Sequence, residues 1–289
     1  MVDTRRLEKL MSSAEPVTTS DRTGRDPVQG RRVLALSGHR EMRRAGQGRA
    51  RSAQRQAVID ANWEALARCQ PDPASDPAIR QFNAMALESG IVSRFDLLRT
   101  QLVQRFRNRD MVTLGITGPK TGTGSSFAAA GLVAALARRG DLRVIAMDLN
   151  LRAPALHRYF EIASERPVQD MLSGEVPPEA FLRRLAARVA LAPGIPASDA
   201  PGGIAPEDLV TTLGELTDNY APDMIICDLP ALLDGDAALE ICSHLDAVLM
   251  TADSHRTKAD EITACERLLS GQTEFLGVIL NNYTGADPI

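Results

Sequence analysis

Apolar positions divide the chain into two parts with different patterns. From residue 111 onward, short runs in which nearly every position is apolar alternate with longer segments that have helical spacing. Six of these runs have the length and composition of strands: MVTLGIT, RVIAMD, VALAPG, DMIICDLP, AVLMTAD and FLGVILNN. Strands that are apolar on both faces and alternate with helices indicate a mostly parallel sheet covered on both sides. The pattern therefore predicts an α/β domain over residues 111–289.

The first 110 residues lack this alternation. Residues 57–110 contain helical spacing, first in AVIDANWEALARCQ and, after the break PDPASDP, in IRQFNAMALESGIVSRFDLLRTQLVQRF. They predict a helical linker region. Residues 1–56 are polar and Arg-rich, which predicts a disordered basic arm. A sharper alternative is that this arm contacts anionic lipid or an acidic partner.

Charge follows the same division. Residues 1–110 hold 20 Lys and Arg against 13 Asp and Glu, whereas residues 111–289 hold 13 against 24. The segment SGHREMRRAGQGRARSAQR carries six arginines and one acid, but no aromatic side chain that could stack on a nucleobase. Nucleic acid is therefore a disfavoured partner.

The glycine-rich stretch GPKTGTGSS, residues 118–126, lies between a predicted strand and a predicted helix. This is the context of a P-loop, in which backbone N–H groups and a helix N-terminus bind phosphate. Gly122 and Gly124 let the backbone curl around an anion, and the hydroxyls of Ser125 and Ser126 are available for capping or for magnesium. However, the pattern G-x-x-x-x-G-K-[ST] is not met.

The residues at three positions of this loop bear on whether the chain can catalyse phosphoryl transfer. Ser125 occupies the lysine position and Pro119 the first glycine position, so a charge-assisted contact to phosphate is lost. Lys120 is unusual because the chain has only three lysines among its 33 basic residues. It stands at the place of the second, "signature" lysine that ParA/MinD-class loops carry, and in that class this lysine reaches phosphate across a dimer interface.

The order of elements resembles the bacterial tyrosine kinases of capsule and exopolysaccharide synthesis, the CpsD/CapB family. GPKTGTGSS is similar to the family's loop S-P-K-P-G-E-G-K-S. DLNLRAPALH is similar to its D-x-D-L-R-R-P-x-L-H, with Asn150 in place of the second aspartate, and PDMIICDLPALL is similar to its Walker B strand. The helix SRFDLLRTQL resembles the family's oligomer contact, but of its arginines only Arg99 is kept.

The resemblance implies a set of candidate residues. Asp148, Asp228 and Lys120 are the catalytic candidates, and Asp148, Asp228 and Ser126 are the metal candidates. ATP or ADP would be bound by a larger group, namely Pro119, Lys120, Gly122, Thr123, Gly124, Ser125, Ser126 and Arg152. Asp148 has an alternative role, in which it only caps the following turn. Asn150 cannot act as a base, because an amide does not titrate.

Three functional hypotheses follow. The first is a catalytically impaired kinase relative, a pseudokinase that binds ATP or ADP and Mg²⁺ weakly or no longer. It would act in exopolysaccharide synthesis as a cytoplasmic partner of the tail of a membrane chain-length or export protein. The second is an active kinase or ATPase that uses Lys120. The third is a ParA/MinD-type positioning ATPase, disfavoured by the acidic body and by a C-terminus without an amphipathic helix.

The remaining features place the chain in the cytoplasm, next to the inner membrane only through a partner or the basic arm. Its four cysteines are widely spaced and form no CxxC pair, which fits a reducing compartment. The N-terminal residues lack the apolar core of a signal peptide, and no apolar run reaches 18 residues. A homo-oligomer stays open, because the resemblance of SRFDLLRTQL to the family contact is incomplete.

Overall fold

The computed structural model describes residues 41–70, 72, 90–196 and 203–283 of the chain. Its helices are α1 Glu41–Ala65, α2 Ile91–Arg109, α3 Ser125–Arg139, α4 Leu156–Tyr159, α5 Gln169–Leu172, α6 Pro178–Phe181, α7 Pro206–Tyr220, α8 Ala237–Cys242 and α9 Ala259–Leu269. Its strands are β1 Thr113–Thr117, β2 Val144–Asp148, β3 Arg183–Ala186, β4 Val189–Ala192, β5 Met224–Asp228, β6 Ala247–Asp253 and β7 Glu274–Asn281.

The strands form one seven-stranded sheet in the order β3-β4-β2-β5-β1-β6-β7. Every neighbouring pair is parallel except β3 and β4, which are antiparallel. The predicted fold class, an α/β protein with a mostly parallel sheet and helices on both faces, is confirmed. Strand β3 was not predicted, because its sequence RRLA is half-buried and polar at two of four positions. It is held by pairing with β4 rather than by a continuous apolar run.

Alternate residues of the strands enter two apolar layers. On β5, Ile225 and Cys227 pack into the layer under α7, whereas Met224 and Ile226 pack into the layer under α2 and α3. All five residues of β1, β2 and β5 are buried. Both faces of the sheet are therefore covered, and ligands are confined to its edges and to the ends of its strands.

The Ala-rich helix α3 is packed closely by α2. A Cβ atom on Gly131 would lie 2.3 Å from the Phe95 ring, so this contact requires a residue without a side chain. The Nη1 of Arg99, a residue of the expected oligomer contact, donates to Ala135 O at 3.0 Å and to Asp96 Oδ1 at 2.8 Å. In this structure Arg99 thus joins α2 to α3 within one chain.

Helix α1 crosses the predicted boundary at residue 56. Residues 41–56, which the sequence assigns to a disordered arm, are helical here. Arg, Ala and Gln are good helix formers, and the later part of the helix is anchored by the buried Ile59 and Trp63. Trp63 Nε1 donates to Tyr220 O at 2.9 Å, at the end of α7. Tertiary packing at one end therefore extends the helix into polar sequence.

Some expectations from the sequence concern residues that the structure does not describe. Those residues are 1–40 of the arm, 71 and 73–89 of the linker, 197–202, and the C-terminal residues 284–289. Among the helices that the structure describes, none combines the length and the apolar character needed to cross a lipid bilayer.

Candidate nucleotide site

The loop of residues 118–126 lies at the carboxyl edge of the sheet, between β1 and α3. Gly122 and Gly124 have φ angles of +88° and +92°, which residues with a side chain adopt only with strain. A Cβ on Gly124 would also lie 2.0 Å from Asn281 Nδ2. The two glycines are thus required by the backbone conformation that turns the chain into α3.

The start of the loop is fixed by the segment that follows β5. The backbone N–H groups of Leu232 and Leu233 donate to the carbonyls of Gly118 and Pro119, each at 2.9 Å. Asp234 Oδ2 accepts from Thr121 through its backbone N at 2.9 Å and its hydroxyl at 2.7 Å. One backbone donor of the loop is therefore already bonded to a carboxylate.

Thr123 is turned toward the sheet rather than toward solvent. Its buried hydroxyl lies 3.2 Å from the hydroxyl of Thr251, which donates to Thr117 O at 3.1 Å. Asn281 Nδ2 donates to the Thr123 carbonyl at 3.2 Å. The side chain of Thr123 therefore supports the loop, and only its backbone is placed to serve a ligand.

Lys120, the cation of the loop, is bonded within the chain. Its Nζ donates to Glu261 Oε1 at 2.6 Å, and Glu261 Oε2 accepts from the backbone N of Lys258 at 3.0 Å. This hydrogen bond raises the pKa of Lys120 and lowers the pKa of Glu261. Because 58% of the Lys120 side chain is exposed, a competing phosphate can reach it.

Arg256 is a second cation at the loop, and the sequence did not single it out. A Cβ built on Gly122 would lie 3.2 Å from Arg256 Nη1, so the guanidinium lies directly against the loop. Arg256 follows β6, and its backbone N donates to Asp253 Oδ1 at 3.0 Å. The available signal was its position just after a strand that ends at the same edge of the sheet.

Asp148 and Asp228 lie side by side at the ends of neighbouring parallel strands, in register with each other. Both are fully buried, with 0% of their surface exposed. Asp148 Oδ2 accepts from the backbone N of Ala155 at 2.7 Å and of Leu156 at 2.8 Å. Neither oxygen of Asp228 makes a hydrogen bond of normal geometry with any described residue.

Burial is the main influence on both carboxyl groups. It raises the pKa of Asp148 to about 6, although the amides of Leu156 and Ala155 oppose the rise. Burial and the charge of Asp148 raise the pKa of Asp228 well above its ordinary value, and the Ser126 hydroxyl opposes part of that rise. Two adjacent buried carboxylates are stabilised only by a proton or by a cation.

The other expected residues lie in two groups. Ser125 and Ser126 open α3, so both hydroxyls are at the helix N-terminus. Arg152 lies in the exposed turn after β2 and forms no hydrogen bond or ion pair with the described part of the chain. The structure therefore brings the loop and the two aspartates together, and leaves Arg152 without a defined role.

The donor set suits magnesium. Mg²⁺ prefers oxygen ligands, usually one or two carboxylates with a hydroxyl, water and phosphate. The orphaned carboxylate of Asp228, the neighbouring Asp148 and the hydroxyl of Ser126 fit this preference. Within the described residues, no group of three or more His, Cys, Asp or Glu side chains could hold a metal ion by itself.

Comparison with known proteins agrees with the resemblance found in the sequence. No family model matches the chain. Proteins from Ralstonia nicotianae and Ralstonia solanacearum, both named "Putative tyrosine-protein kinase EpsB", are 27% and 26% identical to it over 224 residues. The resemblance to the bacterial tyrosine kinases is confirmed. The match covers 75% of this chain but only 27% of each relative, so the chain spans about a quarter of their length.

Solved structures agree on the fold. The kinase domain of the Escherichia coli tyrosine kinase ETK superimposes with a TM-score of 0.59 at 20% identity, covering 68% of this chain and 79% of ETK's. The VpsO kinase domain gives 0.56 at 20% identity, covering 68% and 98%. The cell division ATPase MinD of Pyrococcus furiosus gives 0.52 at 24% identity, covering 61% and 74%. These kinases and MinD share the P-loop architecture described above.

Proposed function

We propose that this chain is a tyrosine-kinase-like P-loop protein of exopolysaccharide or capsule biosynthesis, with nucleotide binding retained and phosphoryl transfer impaired. It acts as a cytoplasmic partner or regulator of a membrane chain-length or export protein, peripheral to the inner membrane. The sequence similarity to the two EpsB proteins supports the choice of pathway. The preserved loop, with its glycines and its nearby carboxylates, supports nucleotide binding.

The observation that carries the impairment is the chemistry at position 125. Ser125 opens α3 where a lysine would reach phosphate, and a hydroxyl supplies no charge. Lys120 is bonded to Glu261, so binding phosphate through it requires breaking an ion pair. Asn150 replaces a titrating carboxylate, so no base stands at that position.

Magnesium would be held by Asp228 and Ser126, with Asp148 beside them. When bound with nucleotide, Mg²⁺ supplies positive charge to the phosphates. The chain's own contribution is to bury the two carboxylates and to leave Asp228 without a hydrogen bond of normal geometry from the described residues. It also aims the N-terminus of α3 at the position where phosphate would bind.

Calorimetry with Mg²⁺ and ATP or ADP, followed by a phosphotyrosine assay, tests this proposal. We expect binding with no autophosphorylation. Restoring the charge with Ser125→Lys should tighten MgATP binding by roughly 10- to 100-fold, the scale of one hydrogen bond to a charged group. Ser270→Lys, an exposed serine at the end of α9, is the matched control and should change nothing. Robust autophosphorylation of the wild type would contradict the proposal.

An active kinase or ATPase is the second candidate, favoured by the position of Lys120 in the loop with Arg256 against Gly122. Two cations beside the loop could replace the missing lysine charge. In that case Ser125→Lys changes turnover little, whereas Lys120→Ala abolishes it. The impaired-kinase proposal predicts negligible turnover in every one of these proteins, so a single phosphate-release assay separates the two candidates.

A further inference from the structure

A second charged site lies at the opposite end of the sheet from the P-loop. A cavity of about 550 Å³ opens there beside the end of α1, and is lined by Asp60, Trp63, Arg68, Arg143, Arg184 and Arg188 among others. Arg143 immediately precedes β2, and Asp148 ends it. The five-residue strand separates the two sites by roughly 17 Å at about 3.3 Å a residue. The cavity is therefore distinct from the nucleotide site.

Four arginines reach this cavity from four separate segments. Arg68 follows α1, Arg143 precedes β2, Arg184 lies on β3 and Arg188 lies in the turn between β3 and β4. Only two acids, Asp60 and Glu64, share the lining. The lining therefore has an excess of two positive charges, in a domain whose overall charge is negative.

Backbone hydrogen bonds hold these segments together. The N–H of Arg184 donates to Ala67 O at 2.7 Å, and the N–H of Cys69 donates to Arg184 O at 3.0 Å. The N–H of Val144 donates to Arg188 O at 2.9 Å. These bonds place the arginine backbones in fixed positions before any ligand binds, which reduces the entropy lost on binding.

Arg143 is the buried member of the group. It is 9% exposed, and its Nη2 donates to Asp60 Oδ1 at 2.7 Å. Its Nε has no acceptor among the described residues. Among the described residues, the ion pair of Asp60 is with Arg143, whereas Arg68, Arg184 and Arg188 form none; Nη1 of Arg184 donates to the Trp63 carbonyl at 3.4 Å. A buried donor without an acceptor costs free energy, and an anion in the cavity would supply one.

We propose that this cavity binds an anion that carries at least two phosphate groups. Arginine presents a planar fork of donors that matches phosphate oxygens in pairs, and guanidinium groups from four separate segments can contact more than one phosphate group. The volume lies in the range of small-molecule sites and is larger than a single phosphate needs. The ligand class is a diphosphate or triphosphate, either free or joined to a nucleoside.

The test is calorimetric titration of the 289-residue chain with pyrophosphate, at fixed and moderate salt. The double variant Arg68→Gln/Arg188→Gln removes two exposed arginines of the lining, and should weaken binding at least tenfold. The matched control, Arg107→Gln/Arg267→Gln, removes the same charge from exposed positions on α2 and α9. It should leave the pyrophosphate affinity unchanged.

A second variant guards against indirect effects. Arg143→Gln should also weaken pyrophosphate binding, and circular dichroism melting reports whether that variant is folded. Titration with ADP distinguishes a free diphosphate from one that is joined to a nucleoside. If the cavity also recognises the nucleoside, ADP binds more tightly than pyrophosphate, and its binding depends on Arg68 and Arg188 in the same way. Absence of pyrophosphate binding, or equal loss in the Arg107/Arg267 control, would overturn the proposal.

Discussion

Strands β2 and β5 run side by side, end in register, and both end on a buried aspartate, yet the two ends differ. Asp148 caps the turn that follows β2, because it accepts the backbone N–H groups of Ala155 and Leu156. Asp228 accepts no hydrogen bond of normal geometry from the described residues. The two aspartates share residue type, burial and register, yet the carboxylate of Asp148 caps a turn whereas that of Asp228 caps none among the described residues.

The difference supports the proposal that Asp228, rather than Asp148, serves a ligand. A buried charge without partners lowers the stability of the folded state, so its presence requires a reason outside folding. The charge of Asp148 is stabilised in part by the backbone N–H groups that donate to it. The carboxylate of Asp228 accepts from no backbone N–H group of the described residues, and the groups that act on it are the charge of Asp148 and the Ser126 hydroxyl. A cation brought by a nucleotide would compensate the charge of Asp228 and relieve its repulsion from Asp148.

The largest expected effect is the pH dependence of the pair. Both pKa values are raised, so between the ordinary value of 3.8 and about 6 the folded protein binds more protons than the unfolded chain. The contribution of these groups to stability is therefore fully present below pH 4 and is lost as the pH rises. For Asp148 alone the loss is on the order of 3 kcal/mol by pH 8.

The reference for this measurement is the double variant Asp148→Asn/Asp228→Asn, which cannot titrate at either position. Denaturant unfolding at pH 4 and at pH 8 should show similar stabilities for the two proteins at pH 4. At pH 8 and without Mg²⁺, the double variant should be the more stable one. A stability difference that does not change with pH would show that the pair is not strained by its charge.

The second effect separates the two strand ends directly. Asp148→Ala leaves two backbone N–H groups without an acceptor, whereas Asp148→Asn keeps an acceptor oxygen and removes only the charge. Alanine should therefore be less stable than asparagine at position 148 by about 2 kcal/mol. At position 228 the same pair of variants should differ by less than about 1 kcal/mol, since only the contact with the Ser126 hydroxyl, which falls short of normal hydrogen-bond geometry, is lost there.

Chemical denaturation at pH 8 gives all four values, and comparing alanine with asparagine cancels the effect of the lost charge. Equal alanine penalties at the two positions would mean that Asp228 has structural partners like those of Asp148. A larger penalty at position 228 would reverse the comparison.

The sequence was sufficient for six of the seven strands, because apolar periodicity reports burial directly. All six runs predicted as strands are strands, and the loop glycines were recognised because their spacing follows backbone geometry. Strand β3 was not predicted, because it is held by pairing with β4 and not by an apolar run of its own. Residues 41–56 are helical in the structure although their polar composition predicts a disordered arm, and the same helix continues to Trp63, which bonds to the end of α7.

Contacts between residues that are far apart in the chain could not be predicted from the sequence. Lys120 was recognised as the loop cation, but Glu261 lies 141 residues away and no local pattern connects the two. Arg256 was missed for the same reason. The capping role of Asp148 was kept as an alternative, and the structure supplies its hydrogen bonds. Its predicted part in magnesium binding remains a prediction.

The smallest expected effect concerns the bond between Lys120 and Glu261. Glu261→Gln removes the charge that competes with phosphate for Lys120, but keeps an oxygen that can accept from the backbone N of Lys258. MgADP affinity should rise about threefold, the scale of an exposed ion pair, with little change in the melting temperature. Glu266→Gln, an exposed residue of the same helix, is the control. An unchanged affinity in Glu261→Gln would show that Lys120 does not reach the phosphates, and would leave Arg256 as the cation that serves the loop.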